Sequence, residues 1–228
     1  MVATETVTEC RVVRDFDRVA LRVDNTVCEV VIRQGERESL IVSGRPDTLS
    51  RLKTEVRDGE LSITLGGGWS DKLQRALATS LTRQWIKCDL TVRSLTSLEL
   101  GGLVRARASD IQSDHLSVSV CGAGRVNLES LTAGRLDVAM RGTCQVEATG
   151  RVREQKVAID GMGHYDAPKL ESQTAVVDLN GAGRATVWAV EDLQVTSRGI
   201  GSVEYYGTPR VKKHASPLAS VIPAAVPA

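Results

Sequence analysis

A glycine signature returns at nearly constant spacing through the second half of this chain, at Gly102, Gly122, Gly142, Gly161, Gly181 and Gly199. The intervals are 20, 20, 19, 20 and 18 residues. A period of this length marks a stack of short units, none of which can bury its apolar face alone.

With each of these glycines set as position zero, the repeats share one pattern. Four residues earlier come Leu98, Val118, Val138, Val157, Val177 and Val195, and two earlier come Leu100, Val120, Met140, Ile159, Leu179 and Ser197. Four later come Ala106, Val126, Val146, Tyr165, Ala185 and Val203, and six later Ala108, Leu128, Ala148, Ala167, Val187 and Tyr205. The odd places between them are mostly polar. Alternation with period two is the mark of strands with one buried face. Nine after the glycine, Ile111, Leu131, Leu170 and Val190 add another apolar place, with Val152 one residue late.

Two or three short strands and their corners fit in twenty residues, so stacked units predict an all-β β-solenoid. The glycines then sit at a corner where the chain turns sharply or crowds the core. Hairpin turns of a sandwich would place independent patterns on either side of each glycine, whereas here both sides repeat. A dinucleotide loop is excluded, since Asn127, Asp166 and Thr186 stand where Gly-x-Gly-x-x-Gly needs its third glycine.

The residues at these corners resemble a known family, the auto-transporter adhesin head domain called the GIN domain. Cys121-Gly122-Ala123-Gly124 and Asn180-Gly181-Ala182-Gly183 are similar to its Ser-Gly-Ser-Gly-like turns. Tyr205-Tyr206-Gly207-Thr208-Pro209 resembles its closing Tyr-x-Gly-x-Pro. Asp15-Phe16-Asp17-Arg18-Val19, the Gln34-Gly35 turn and Asp58-Gly59-Glu60-Leu61-Ser62-Ile63 resemble its opening. The resemblance spans about residues 10–212. It implies a right-handed solenoid and an adhesive role at a bacterial surface, and carries no catalytic motif. Thr143 and Cys144 depart from it where a second glycine is expected.

Four regions follow. Residues 10–68 are strand-rich, read either as degenerate coils with Asn25 and Gly44 at position zero or as a small separate β-sheet. Asp58-Gly59 is a turn in both cases. Residues 69–85 predict a short inserted amphipathic helix, with Leu73, Ala76, Leu77, Ser80 and Leu81 on one face and Trp85 extending it. Residues 86–212 are the solenoid. Residues 213–228, with three prolines in the last twelve positions, predict an irregular tail outside the core.

Composition narrows function. Net charge is +1, which gives no global pull toward nucleic acid or membrane. Aromatic content of 3% leaves few stacking platforms for single-stranded nucleic acid. Five scattered cysteines without Cys-x-x-Cys argue against a disulfide framework or zinc site. No apolar run reaches the length of a membrane span. The first seventeen residues show no signal-peptide pattern, which points to the cytoplasm, whereas the family resemblance points to the surface or to secretion.

Catalytic groups are sparse. His115, His164 and His214 fall at unlike places, and no Gly-x-Ser-x-Gly or His-Glu-x-x-His occurs. No cofactor or metal is expected. The outward column just before the glycines, with Arg141, Asp160 and Arg198, reads as a surface ion-pair ladder. Three residues after the glycines, Arg105, Arg125, Gln145, His164 and Arg184 align as a basic stripe suited to the anionic groups of an extended polymer. The expected function is a non-enzymatic binding or adhesion-like module for an acidic polysaccharide or a protein partner. The alternatives are a self-assembling scaffold stacked end to end and a polysaccharide-acting enzyme. Apolar Val203, Tyr205 and Tyr206 near the last repeat favour a homo-oligomer.

Overall fold

The protein's structure, a computed structural model, describes residues 6–66 and 85–224. It is all-β: twelve strands and one four-residue helix among the described residues. The period in the sequence reappears as the register of a parallel ladder. β7 (Ser97–Ser109) pairs in parallel with the start of β8 (Gln112–Leu179) at an offset of 20, Leu98 beside Val118 and Ala108 beside Leu128. The end of β8 pairs in parallel with β9 (Ala182–Ser197), His164 beside Arg184 and Val177 beside Val195. β9 in turn pairs with β10 (Ile200–Tyr206), again in parallel, with Val203 beside Ala185. Like residues therefore lie beside like, and every inward place extends one apolar column.

The alternation in the sequence accounts for the core. Every residue at the four even places is buried, except half-buried Tyr205. Ser197 is buried with them, and its hydroxyl finds no partner among the described residues. Val190 differs from expectation. It is 45% exposed, and Ala189 takes the inward place instead. The cause is a register shift between β8 and β9 after Asp166 and again after Ser172, which moves the parity of that stretch by one.

The first strands extend the same ladder and then close it. β2 (Arg18–Gln34) pairs in parallel with β7 through Arg18–Val23 and again through Val27–Arg33, with a shift between Val23 and Val27. On its other side its first half meets β5 (Glu60–Leu65) and its second half meets β6 (Trp85–Val92), both in parallel. Antiparallel strands finish each flank: β4 (Lys53–Arg57) on β5, and β3 (Ser39–Gly44) followed by β1 (Val7–Arg11) on β6. Gly44 thus lies in an antiparallel strand opposite Val7 and Ile86, not at a glycine corner of the ladder. The β4–β5 turn has positive φ at Asp58 and Gly59, the twist that a two-residue hairpin needs. Val13, Phe16 and the Leu49 of α1 (Pro46–Leu49) are buried at this end. Arg11 ties the flanks together, donating to the carbonyls of Leu49 and Leu52 at 3.1 Å each.

One expectation lies mostly outside the described residues, and another is corrected. The helix placed over 69–85 falls outside the described residues except for Trp85, which opens β6 as a strand residue. The tail expected to be irregular from 213 holds strand instead. β11 (Arg210–Ala215) pairs in parallel with β9, and β12 (Ala219–Pro223) with β10, both 18 residues on. Ser216 and Pro217 stand where the glycine signature would fall, so the period is hidden although the ladder continues. Val221 packs beside Val203, which is buried, so part of the apolar surface expected there is covered, while Tyr205 and Tyr206 stay half-buried.

Candidate functional site

The glycine corner explains its own composition. A Cβ on Gly142 would lie 2.4 Å from the carbonyl oxygen of Gly122, and one on Gly122 would lie 2.7 Å from that of Gly102. Both have φ above +100°, a region that L side chains rarely adopt. The same carbonyl contact repeats at Gly161, Gly181 and Gly199. One column of backbone is thus packed tightly enough to exclude any side chain. Cys144, the departure from the glycine pattern, is buried at the place where Gly124 and Gly163 stand. Its thiol rests 3.6 Å from the carbonyls of Gly122 and Arg141, and burial pushes its pKa up.

Beside the corner lies an open groove of about 1240 Å³, lined in part by Gly124, Gly163, Gly183 and Gly201. All five residues of the expected stripe line it: Arg105, Arg125, Gln145, His164 and Arg184. Backbone register brings Arg105 beside Arg125 and His164 beside Arg184. Arg125 donates to Gln145 Oε1 at 2.7 Å, and Arg184 Nε to Ser202 Oγ at 3.2 Å. Gln145 passes its amide on to Glu147 at 2.9 Å. Among the described residues, Arg105 and His164 make no side-chain hydrogen bond or ion pair.

Among the described residues, no Asp or Glu lines this groove. Elsewhere arginines find carboxylates: Arg22 with Glu99, Arg107 with Glu129, Arg135 with Asp137, Arg151 with Glu171 and Arg210 with Asp192. Glu29 stands in register with Arg105 at the head of the stripe, but no ion pair joins them among the described residues. Strands lie about 4.8 Å apart. At that separation two cations on neighbouring strands, as Arg105 and Arg125 are, repel by at most roughly 1 kcal/mol in a water-like dielectric.

The column just before the glycines has the opposite character. Arg141 lies 4.0 Å from Asp160, Asn180 donates to Asp160 at 3.1 Å, and Arg198 donates to Asn180 at 3.2 Å. This is the expected ladder, with one ion pair between Arg141 and Asp160 and Arg198 joined to it through Asn180. The other two histidines lie elsewhere: His115 is 2.8 Å from Asp137, and His214 is on β11. The five thiols are free. No cluster of metal-ligating side chains and no helix fit to cross a membrane occur among the described residues.

Sequence reasoning missed the groove's other wall, made by the residues one place after each glycine. Leu103, Met162 and Ile200 line it and are exposed. Their signal was available, as large apolar residues at an outward, odd place of the frame.

Comparison with known proteins agrees with this architecture. A solved structure from Bacteroides fragilis, titled a putative adhesin, superimposes with TM-score 0.83 at 20% identity, over 97% of this chain and 98% of that one. A putative adhesin from Parabacteroides distasonis gives TM-score 0.66 at 16% identity, over 96% and 97%. A protein of the same organism titled a putative lipid binding protein gives 0.63 at 17%, over 96% and 97%. At these identities the likeness is one of fold. Among curated proteins nothing matches. Residues 15–209 match the family described as "Putative auto-transporter adhesin, head GIN domain", and the chain belongs to that family.

Proposed function

We propose that this protein is a non-enzymatic, adhesin-like binding module, acting at a bacterial surface or after secretion, whose glycine-corner groove holds an extended acidic partner. Its ladder is read as a right-handed β-solenoid, with each strand register offset of 18 or 20 residues equal to one coil. The observation that carries the proposal is a groove lined by three arginines and a histidine with no carboxylate among its lining residues. Arg105 and Arg125 stand on neighbouring strands and Arg184 three repeats further on, so the groove offers cationic positions along its length to an extended partner. Arginine suits carboxylate, sulfate and phosphate groups through its planar fork of donors. The family's naming for adhesins supports a binding role. An acidic glycan array tests the proposal. The wild type should bind sulfated or uronate-bearing glycans and the variant carrying Arg125→Glu and Arg184→Glu should not; absence of wild-type binding to any acidic glycan or amphiphile would overturn it.

A further inference from the structure

The groove has two walls of different chemistry. Opposite the cationic stripe runs a second row, Leu103, Ala123, Thr143, Met162, Ala182 and Ile200, apolar except for Thr143. Leu103 is 41% exposed, Met162 63% and Ile200 59%. Single exposed apolar residues need no explanation. Here three of the nine large exposed hydrophobics among the described residues share one groove. All three hold outward places, where the repeat otherwise sets polar side chains. Water meets this row, and the row facing it holds three arginines with no carboxylate partner among the described residues.

Dimensions restrict what can cover both walls. The two rows are two residues apart along each strand, about 6.6 Å, and five strand steps separate Leu103 from Ile200, about 24 Å. The space is long and one chain wide. A polyanion without an apolar part would satisfy the arginines and leave Leu103, Met162 and Ile200 wet. We propose that the preferred ligand is a single-chain amphiphile with an anionic headgroup. Its alkyl chain lies along Leu103, Met162 and Ile200, and its headgroup is held by Arg125, with Arg105 beside it on the neighbouring strand. This rests on the groove being an anion site, and it names the class of anion.

Three probes and two variants separate the claims. The probes are lysophosphatidic acid below its micelle concentration, lysophosphatidylcholine with the same chain and a zwitterionic head, and dextran sulfate, a polyanion with no chain. The expected result is tightest binding of lysophosphatidic acid. Replacing Leu103, Met162 and Ile200 together by Ser should weaken it at least about tenfold and leave dextran sulfate binding unchanged. The Arg125→Glu, Arg184→Glu variant should lose both anions. All substituted side chains are on the surface, so folding is checked simply by circular dichroism. Binding of dextran sulfate without lysophosphatidic acid, or a serine variant that binds the amphiphile like wild type, overturns the amphiphile and leaves the anion groove standing. Equal binding of the zwitterionic probe also overturns it. Binding of neither anion overturns both.

Discussion

Tyr165 donates a hydrogen bond of 3.0 Å from its hydroxyl to Oε1 of Gln155, and both side chains are shut off from water in the middle of the apolar column. Gln155 holds a place that Leu116, Leu136 and Leu193 fill in other repeats, all buried. Its amide continues the network to Ser172 Oγ at 2.8 Å and to the carbonyl of Trp188 at 3.2 Å. The network lies at the register shift, where the carbonyl of Trp188 takes its bonds from side chains. Tyr165→Phe leaves the amide oxygen of Gln155 buried and unpaired, which should cost about 1–3 kcal/mol. Gln155→Leu strands the tyrosine hydroxyl at a similar cost. The double variant should be less destabilised than the sum, as urea midpoints in a double-mutant cycle would show.

The same tyrosine sets an alkaline limit. Burial raises the Tyr165 hydroxyl above the ordinary tyrosine value near 10. Above pH 10 the unfolded chain releases this proton while the folded chain keeps it. The stability difference is therefore fully present below pH 10 and declines as pH rises further. Urea midpoints between pH 9 and 11 should fall for the wild type and fall less for Tyr165→Phe. Equal slopes would remove Tyr165 as the cause.

The glycine column makes a sharp contrast between neighbours. Gly142→Ala drives a Cβ to 2.4 Å from the Gly122 carbonyl at φ +109°, backbone that cannot yield without moving the next repeat. It should lose more than about 2 kcal/mol. Gly101→Ala meets nothing nearer than 3.6 Å and has no left-handed φ, so its change should stay within about 0.5 kcal/mol. Thermal melts of the two variants would sink this account if they shifted alike.

Buried places in the frame tolerate no charge. Val120→Asp and Leu179→Asp each put a carboxylate where exposure is 2% and 0%, with no cation to meet it, so both should fail to fold. Wild-type melting of either would show that the inward face has been misassigned.

Much of this architecture could be read from spacing alone, because a ladder in constant register copies one inward pattern from repeat to repeat. What escaped notice lies where another interaction replaces the pattern. Ser216 and Pro217 close a last turn without glycine, the serine hydroxyl bonding the Gly199 carbonyl at 2.6 Å, so β11 and β12 left no signature. Gln155 breaks the inward apolar pattern, and its partners Tyr165, Ser172 and Trp188 are 10, 17 and 33 residues away, beyond the reach of a spacing rule. Val190 was misjudged because parity assumes a constant repeat length. The cationic stripe was visible, since like residues recur at one place. That its arginines lack carboxylates, and that an apolar row faces them, depends on contacts between repeats that spacing does not reveal.

The most direct measurement separates location from net charge. Two double variants change charge equally: Arg125→Glu with Arg184→Glu inside the groove, and Arg141→Glu with Arg198→Glu in the column before the glycines, outside the groove. Affinity for lysophosphatidic acid and for dextran sulfate is measured by titration calorimetry at low and moderate salt. The groove variant should lose at least about tenfold for both probes, a difference of about 1.4 kcal/mol or more, while the second pair stays within about threefold of wild type. Equal losses from the two pairs, or binding unaffected by the groove pair, would contradict the groove as the site.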